Sequence, residues 1–116
     1  MDEGWNIRYY QAPQQSTPPV YDFINNLDAN AKYKVINTIN LLESYGIRLG
    51  PPHAKKLTGT DLWELRILGQ DNIRILYIAI SGKNFLLLHG FNKKKQKTDK
   101  REVDIALVRL KEYKSR

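Results

Sequence analysis

The sequence predicts an α+β fold with the element order β-α-α-β-β-β-α, with helices on one face of an antiparallel sheet. Three observations lead to this order. Apolar residues recur with a helical period between residues 17 and 46, and after residue 59 they alternate with a period of two. Short turns separate the alternating stretches, which is typical of an antiparallel meander, and residues 99–116 return to the helical period.

A short strand and two helices form the predicted N-terminal part. Alternating apolar and polar residues indicate a half-buried strand over residues 4–11. Thr17 is the predicted N-cap of the first helix, the break at residues 28–30 precedes the second, and Gly46 is placed to end it. The predicted apolar stripes are Val20, Phe23, Ile24 and Leu27 in the first helix, and Ala31, Val35, Ile39 and Leu42, with Ile36 beside them, in the second.

Three strands and a last helix form the predicted C-terminal part. A loop over residues 49–59 leads to strands over residues 62–69, 73–80 and 84–92, with connections around Gln70-Asp71 and Ser81-Gly82. Asp99, followed by Glu102 three residues later, resembles a capping box. The predicted stripe of the last helix is Val103, Ala106, Leu107 and Leu110.

Length and composition limit the class of protein. We expect one domain over residues 1–116. The chain has no cysteine and only two distant histidines, so we expect no metal site and no cofactor. No apolar run is long enough to span a membrane, and the acidic N-terminus does not resemble a signal peptide. A cytoplasmic location is therefore expected.

The net charge of +7 lies entirely in the second half of the chain. Residues 1–50 carry four Lys or Arg and five Asp or Glu, whereas residues 51–116 carry fifteen and seven. This distribution indicates a polyanionic partner such as a nucleic acid. The alternatives are a basic protein whose charge only keeps it soluble, and one that binds an acidic protein.

Strand alternation predicts that several polar residues share one face of the sheet. If the apolar residues of each strand face the helices, Glu64, Arg66 and Arg74 lie on the opposite face. A two-residue turn at Ser81-Gly82 would place Arg74 opposite His89, with Phe91 on the same face. A register shift of one residue would remove this arrangement.

These residue types suit cleavage of RNA by its own 2′-hydroxyl, a reaction that needs positive charge on the phosphate and groups that move protons. The predicted catalytic residues are Glu64, Arg66, Arg74, His89 and Lys93. The predicted RNA-binding residues are Lys55, Lys56, Lys94, Lys95, Lys97 and Phe91. Ordinary roles compete with each assignment: Glu64 and Arg66 as a surface ion pair, His89 and Phe91 as core residues, and the lysines as a solvated charge run.

Ordered motifs over residues 55–107 resemble a known family. These motifs are Leu62-Trp63-Glu64-Leu65-Arg66-Ile67, Ile73-Arg74-Ile75-Leu76-Tyr77, Leu87-Leu88-His89-Gly90-Phe91-Asn92-Lys93-Lys94, and Gln96-Lys97-Thr98 before a helix with Ala106. They resemble the phage-derived Gp49-like branch of the HigB toxins, in the RelE/ParE superfamily of type II toxin–antitoxin systems.

The resemblance implies a RelE-like fold and a ribosome-dependent, metal-independent endoribonuclease, an mRNA interferase that inhibits translation. It also implies a helix-turn-helix antitoxin as partner, with operator DNA contacted only through that antitoxin. By motif position, Arg74 is expected to bind the scissile phosphate, and Lys55, Lys56, Lys93 and Lys94 match the family's basic segments. The tyrosine that some members place after the last strand has no counterpart near residues 97–100.

Two other functions are compatible with the sequence. One is a ParE-like inhibitor of DNA gyrase on the same fold, without nuclease activity. The other is a non-catalytic module that binds nucleic acid, for which salt-sensitive binding would persist without cleavage.

Overall fold

A computed structural model of the protein describes residues 4–69 and 72–116. The predicted connection at Gln70-Asp71 and the acidic residues 1–3 lie outside the described residues. The elements in chain order are β1 (Asn6–Tyr9), α1 (Pro19–Asn25), α2 (Ala29–Tyr45), a 3₁₀ turn (Gly46–Arg48), β2 (Ala54–Lys56), β3 (Trp63–Arg66), β4 (Ile73–Ile80), β5 (Asn84–Asn92) and α3 (Lys100–Lys114). The mixed α+β class that the sequence predicts is confirmed.

The five strands form one sheet in the order β1-β5-β4-β3-β2. The meander of β3, β4 and β5 is antiparallel, as predicted, and β1 extends it by pairing parallel to β5. The predicted loop before the meander contains β2, which pairs with β3 and which the sequence reading missed. A strand of three residues with one buried side chain, Ala54, has too few positions to show an alternating pattern.

Helices cover both faces of the sheet, and the prediction that they lie on one face is wrong. The buried residues of α1 and α2, such as Val20 and Val35, pack with Ile75 in one core cluster. Ala106 and Leu110 of α3 pack with Leu76 in a second cluster on the other face. The apolar run of β4 explains this, because both of its faces are buried and both need cover. Within residues 4–69 and 72–116, no helix has the length and apolar character needed to cross a membrane.

Local contacts determine where the two N-terminal helices begin and end. Helix α1 begins after Pro18 rather than Thr17, whose hydroxyl donates to the Asp22 carboxylate at 2.6 Å. The Asp28 side chain caps α2 by accepting from a backbone N–H. Gly46 ends α2 as predicted: its φ is +61°, and a Cβ there would lie 2.3 Å from the Trp5 ring.

The predicted stripes are mostly buried, with two exceptions. Ile36 of α2 and Leu107 of α3 are exposed, because each lies one position outside the stripe that faces the sheet. Asp99 is the N-cap of α3 as predicted, and it accepts from the N–H of Arg101. The Glu102 carboxylate contacts His89 on β5.

Two irregularities set the register between β4 and β5. The connection has three residues, Ser81–Lys83, rather than two, and a bulge interrupts the pairing beyond Tyr77. Each adds one residue to β5, so Arg74 lies opposite Phe91, and the predicted pairing of Arg74 with His89 is wrong. One shift would have turned His89 and Phe91 to the other face of the sheet, and the second shift turns them back. Both residues therefore lie on the same face as Arg74.

Candidate nucleic-acid interface

An open groove of about 560 Å³ lies beside β3, between the turn that follows β2 and the loop that follows β5. We call it the polar groove. Lys55 and Lys56 belong to one wall, and Lys93 and Lys97 belong to the other. The remaining lining residues are Leu57, Thr58, Thr60, Glu64, Arg66, Gln96, Thr98 and Val103.

Glu64 lies at the floor of the polar groove and is only 1% exposed. One carboxylate oxygen accepts a hydrogen bond from Arg66 Nε at 3.3 Å and lies 3.6 Å from Arg74 Nε. The other oxygen accepts from the Thr98 hydroxyl. We call these four residues the Glu64 cluster. A buried carboxylate needs such partners, because an unpaired charge in the interior is strongly unfavourable.

The two arginines of the Glu64 cluster differ in their access to the polar groove. Arg66 lines the groove, and 32% of its side chain is exposed. Arg74 is 17% exposed and donates through Nη1 to the carbonyl of Ile73 at 2.9 Å. Pairing of β3 with β4 places Arg66 directly opposite Arg74, so both reach the carboxylate from adjacent strands. Arg66 is the arginine that a ligand in the groove meets first.

Residues 93–98, which we call the lysine loop, separate the polar groove from a smaller one. Lys93 and Lys97 line the polar groove, while Lys94 and Lys95 line a groove of about 200 Å³ beside the start of α3. The lysines predicted from the sequence as one basic run therefore divide between two surfaces. Arg101 lies in the smaller groove and adds a cation that the sequence reading did not select.

His89 and Phe91 lie under α3, outside the residues that line the polar groove. The His89 ring stacks on Phe91 with centroids 5.3 Å apart, and its Nε2 lies 2.7 Å from the Glu102 carboxylate. Arg109 Nη1 approaches the other ring nitrogen at 3.3 Å. Burial lowers the pKa of His89 and Arg109 lowers it further, while the Glu102 hydrogen bond opposes the shift. Phe91 is 6% exposed and contributes only to the smaller groove, so little of its ring is open to a stacking base.

The charge of the polar groove suits a phosphate backbone. Its lining includes five cations, Lys55, Lys56, Arg66, Lys93 and Lys97, and one carboxylate, Glu64. Because that carboxylate is buried against its partners, the surface that faces solvent is cationic. Across the two described ranges, no group of three acidic or histidine side chains could hold a metal ion. The arrangement can bind phosphates and stabilise negative charge on them.

Thr98 is the member of the Glu64 cluster that the sequence reading did not select. It lies 34 residues from Glu64 in the chain, and no periodicity relates a loop residue to a strand residue at that distance. In the sequence, Thr98 stands in the Gln96-Lys97-Thr98 motif before the helix whose start Asp99 and Glu102 predicted, and neither pattern indicated a contact with Glu64.

Comparison with known families identifies one match. The family described as "Phage derived protein Gp49-like (DUF891)" matches residues 22–111, which is more than three quarters of the chain and includes β2 to β5 and most of α3. A comparison with curated proteins gives no match.

Proposed function

The chain belongs to the Gp49-like family of phage-derived proteins, within the RelE/HigB-like toxin group, and from this premise we propose that it is a HigB-type mRNA endoribonuclease. The family points to the toxin module of a toxin–antitoxin system. The proposal adds that the toxin cleaves mRNA bound to the ribosome, and that it does so at the polar groove.

The polar groove is the observation that carries this proposal. Five cations surround a buried carboxylate that holds Arg66, so the groove offers phosphate-binding charge with one guanidinium in a defined position. An arginine held in this way can stabilise the pentavalent phosphate without reorganisation during the reaction. An accessible arginine that a buried carboxylate orients in a cationic groove favours phosphate chemistry over binding to DNA gyrase alone.

In the proposed reaction, the RNA 2′-hydroxyl attacks the adjacent phosphate and displaces the 5′-oxygen of the next nucleotide. Arg66 contacts the phosphate, with Arg74 behind it, and Lys55, Lys56 and Lys97 hold neighbouring phosphates. The attacking hydroxyl loses a proton and the leaving oxygen gains one, so both steps need a proton-transfer group.

In this proposal the Lys93 ammonium gives a proton to the leaving 5′-oxygen, and solvent water takes the proton of the attacking 2′-hydroxyl. Both oxygens of Glu64 already accept hydrogen bonds, so the carboxylate orients Arg66 and the lysine loop rather than transferring a proton. Lys93 lines the groove as one of its cations. His89 lies under α3, so a direct role for it requires α3 to move.

The partners follow from the same proposal. They are a helix-turn-helix antitoxin, the translating ribosome with its mRNA, and operator DNA reached only through the antitoxin. A single domain acting in the cytoplasm is part of this proposal, as is cleavage without a metal ion.

A cleavage assay on translating ribosomes tests the proposal. Wild-type protein is expected to cut the message only when it is being translated, and Arg66→Ala is expected to lower the rate by about 100-fold or more. Arg8→Ala is the matched control, because Arg8 lies on β1 and bonds Asn84 away from the polar groove. Its rate should equal that of the wild type.

Two outcomes would overturn the proposal. Intact mRNA together with inhibition of gyrase supercoiling would assign the chain to the ParE-like function. Salt-sensitive RNA binding without any cleavage would assign it to the non-catalytic class.

A further inference from the structure

We propose that Thr98 is a positioning residue, which fastens the lysine loop to the floor of the polar groove through its hydrogen bond to Glu64. This inference rests on the proposed function, since it concerns how the same groove holds RNA. It assigns the Thr98 hydroxyl the task of keeping Lys93 and Lys97 at the phosphate-binding surface.

The lysine loop needs such a fastening because it has no regular structure of its own. It connects the end of β5 at Asn92 to the N-cap of α3 at Asp99, and it contains neither helix nor strand. At its start, the Lys93 N–H donates to the carbonyl of Asn72. Near its end, the Thr98 hydroxyl donates to Glu64.

The chemistry of Glu64 makes the Thr98 contact a strong one. The acceptor is a carboxylate that is 1% exposed, and a hydrogen bond to a charged group in the interior is stronger than one between neutral groups. Its other oxygen is engaged by guanidinium groups, so no second oxygen competes for the Thr98 hydroxyl. Water also cannot replace the hydroxyl without entering a buried site.

The same carboxylate therefore links two parts of the groove that bind phosphate. Through one oxygen it orients Arg66 on the sheet, and through the other it holds the end of the loop that carries Lys93 and Lys97. Loss of the Thr98 hydroxyl leaves every cation in the chain but removes the fixed distance between the arginine and the lysines. Charge stabilisation requires that distance, because it depends on groups placed before the reaction begins.

Three variants separate this role from a general effect on folding. Thr98→Val keeps the shape and removes the hydroxyl, and Thr98→Ser keeps the hydroxyl. Thr17→Val is the matched control, because Thr17 makes the same type of bond, hydroxyl to carboxylate, with Asp22 at the start of α1. Each variant is compared with the wild type by thermal unfolding, so that a loss of fold is seen directly.

The first measurement uses the protein alone and does not depend on nuclease activity. Amide hydrogen exchange of Lys93, whose N–H donates to the carbonyl of Asn72, is measured by NMR and is expected to rise about tenfold or more in Thr98→Val. Thr98→Ser and Thr17→Val should stay within about twofold of the wild type. Equal exchange in Thr98→Val and wild type would overturn the proposal, whatever the protein does to RNA.

The second measurement concerns RNA. Thr98→Val is expected to lower the maximal cleavage rate about tenfold or more, while affinity for a 2′-O-methyl RNA, which cannot be cut, falls less because all the lysines remain. Thr98→Ser should restore the rate, and equal loss in the serine and valine variants would overturn the proposal. If the wild type cuts nothing, the proposed function fails, and hydrogen exchange together with RNA affinity still decides the role of Thr98.

Discussion

Replacing Glu64 with glutamine tests whether the buried carboxylate holds the groove floor together. The side chain is 1% exposed and contacts guanidinium groups at 3.3 and 3.6 Å. Removing one partner of a fully buried ion pair costs about 3 to 5 kcal/mol. Both guanidiniums here keep some contact with water, and a glutamine oxygen can still accept one hydrogen bond, so we expect a loss of about 2 to 3 kcal/mol.

Urea unfolding measures this loss as a decrease in the free energy of unfolding. In thermal unfolding, the melting temperature should fall by about 6 to 12 °C for a chain of this size. Asp104→Asn is the control, because Asp104 is a largely exposed carboxylate paired with Lys100 on α3. Its effect should stay within about 0.5 kcal/mol. A Glu64→Gln protein as stable as the control would refute the idea that the cluster depends on the buried charge.

Three further predictions concern pH, packing and salt. Burial lowers the pKa of His89 in the folded protein, so the unfolded state binds a proton first as the pH falls. The free energy of unfolding should be constant above the ordinary histidine pKa of about 6.5 and should decrease below it; His89→Gln should reduce this decrease in urea titrations from pH 8 to 5. Gly90→Ala would place a Cβ 2.5 Å from the Phe23 ring and should lower the free energy of unfolding by about 1 to 3 kcal/mol. Gly50→Ala should not, because the nearest atom to a Cβ there is the Arg48 carbonyl oxygen at 4.0 Å, an ordinary contact distance; equal stability of the two variants would contradict the packing. Lys97→Ala should reduce the slope of log affinity against log salt for single-stranded RNA by about 0.7, and an unchanged slope would remove Lys97 from the phosphate contacts.

The two long strands, β4 and β5, could be predicted closely from the sequence. Their bounds agree with the predicted 73–80 and 84–92 because each is a long, mostly apolar run bounded by turn residues. The register between them could not, since neither the third residue of the turn nor the bulge has a distinctive pattern. The face shared by Arg74, His89 and Phe91 was nevertheless correct, because two shifts of one residue cancel.

The position of α3 is the largest difference between the predicted fold and the observed one. Residues on both faces of β4 are apolar, a pattern that indicates helices on both sides of the sheet. The prediction placed all the helices on one side. The consequence reaches the site, because α3 covers His89 and Phe91 and takes them out of the open groove. The prediction that Glu64 and Arg66 lie together remained correct, because these residues lie beyond the part of the sheet that α3 covers.

The contact between the lysine loop and β3 could not be predicted from the sequence, and the reason is physical. Thr98 and Glu64 meet only because the lysine loop that follows β5 reaches β3, which lies two strands away in the sheet, and neither residue has a local pattern that indicates the other. The division of the lysine loop between two grooves has the same origin. Charge counting predicted that the loop binds phosphate, but it could not tell which of its lysines face the same groove.

Mapping the 5′ ends of cellular mRNA after brief induction is the sharpest test of cleavage at the polar groove. We expect new ends inside translated reading frames, in phase with codons, which disappear with Arg66→Ala and persist with Arg8→Ala. If the wild-type protein produced no new ends, or if the ends persisted unchanged with Arg66→Ala, cleavage at the polar groove would be contradicted.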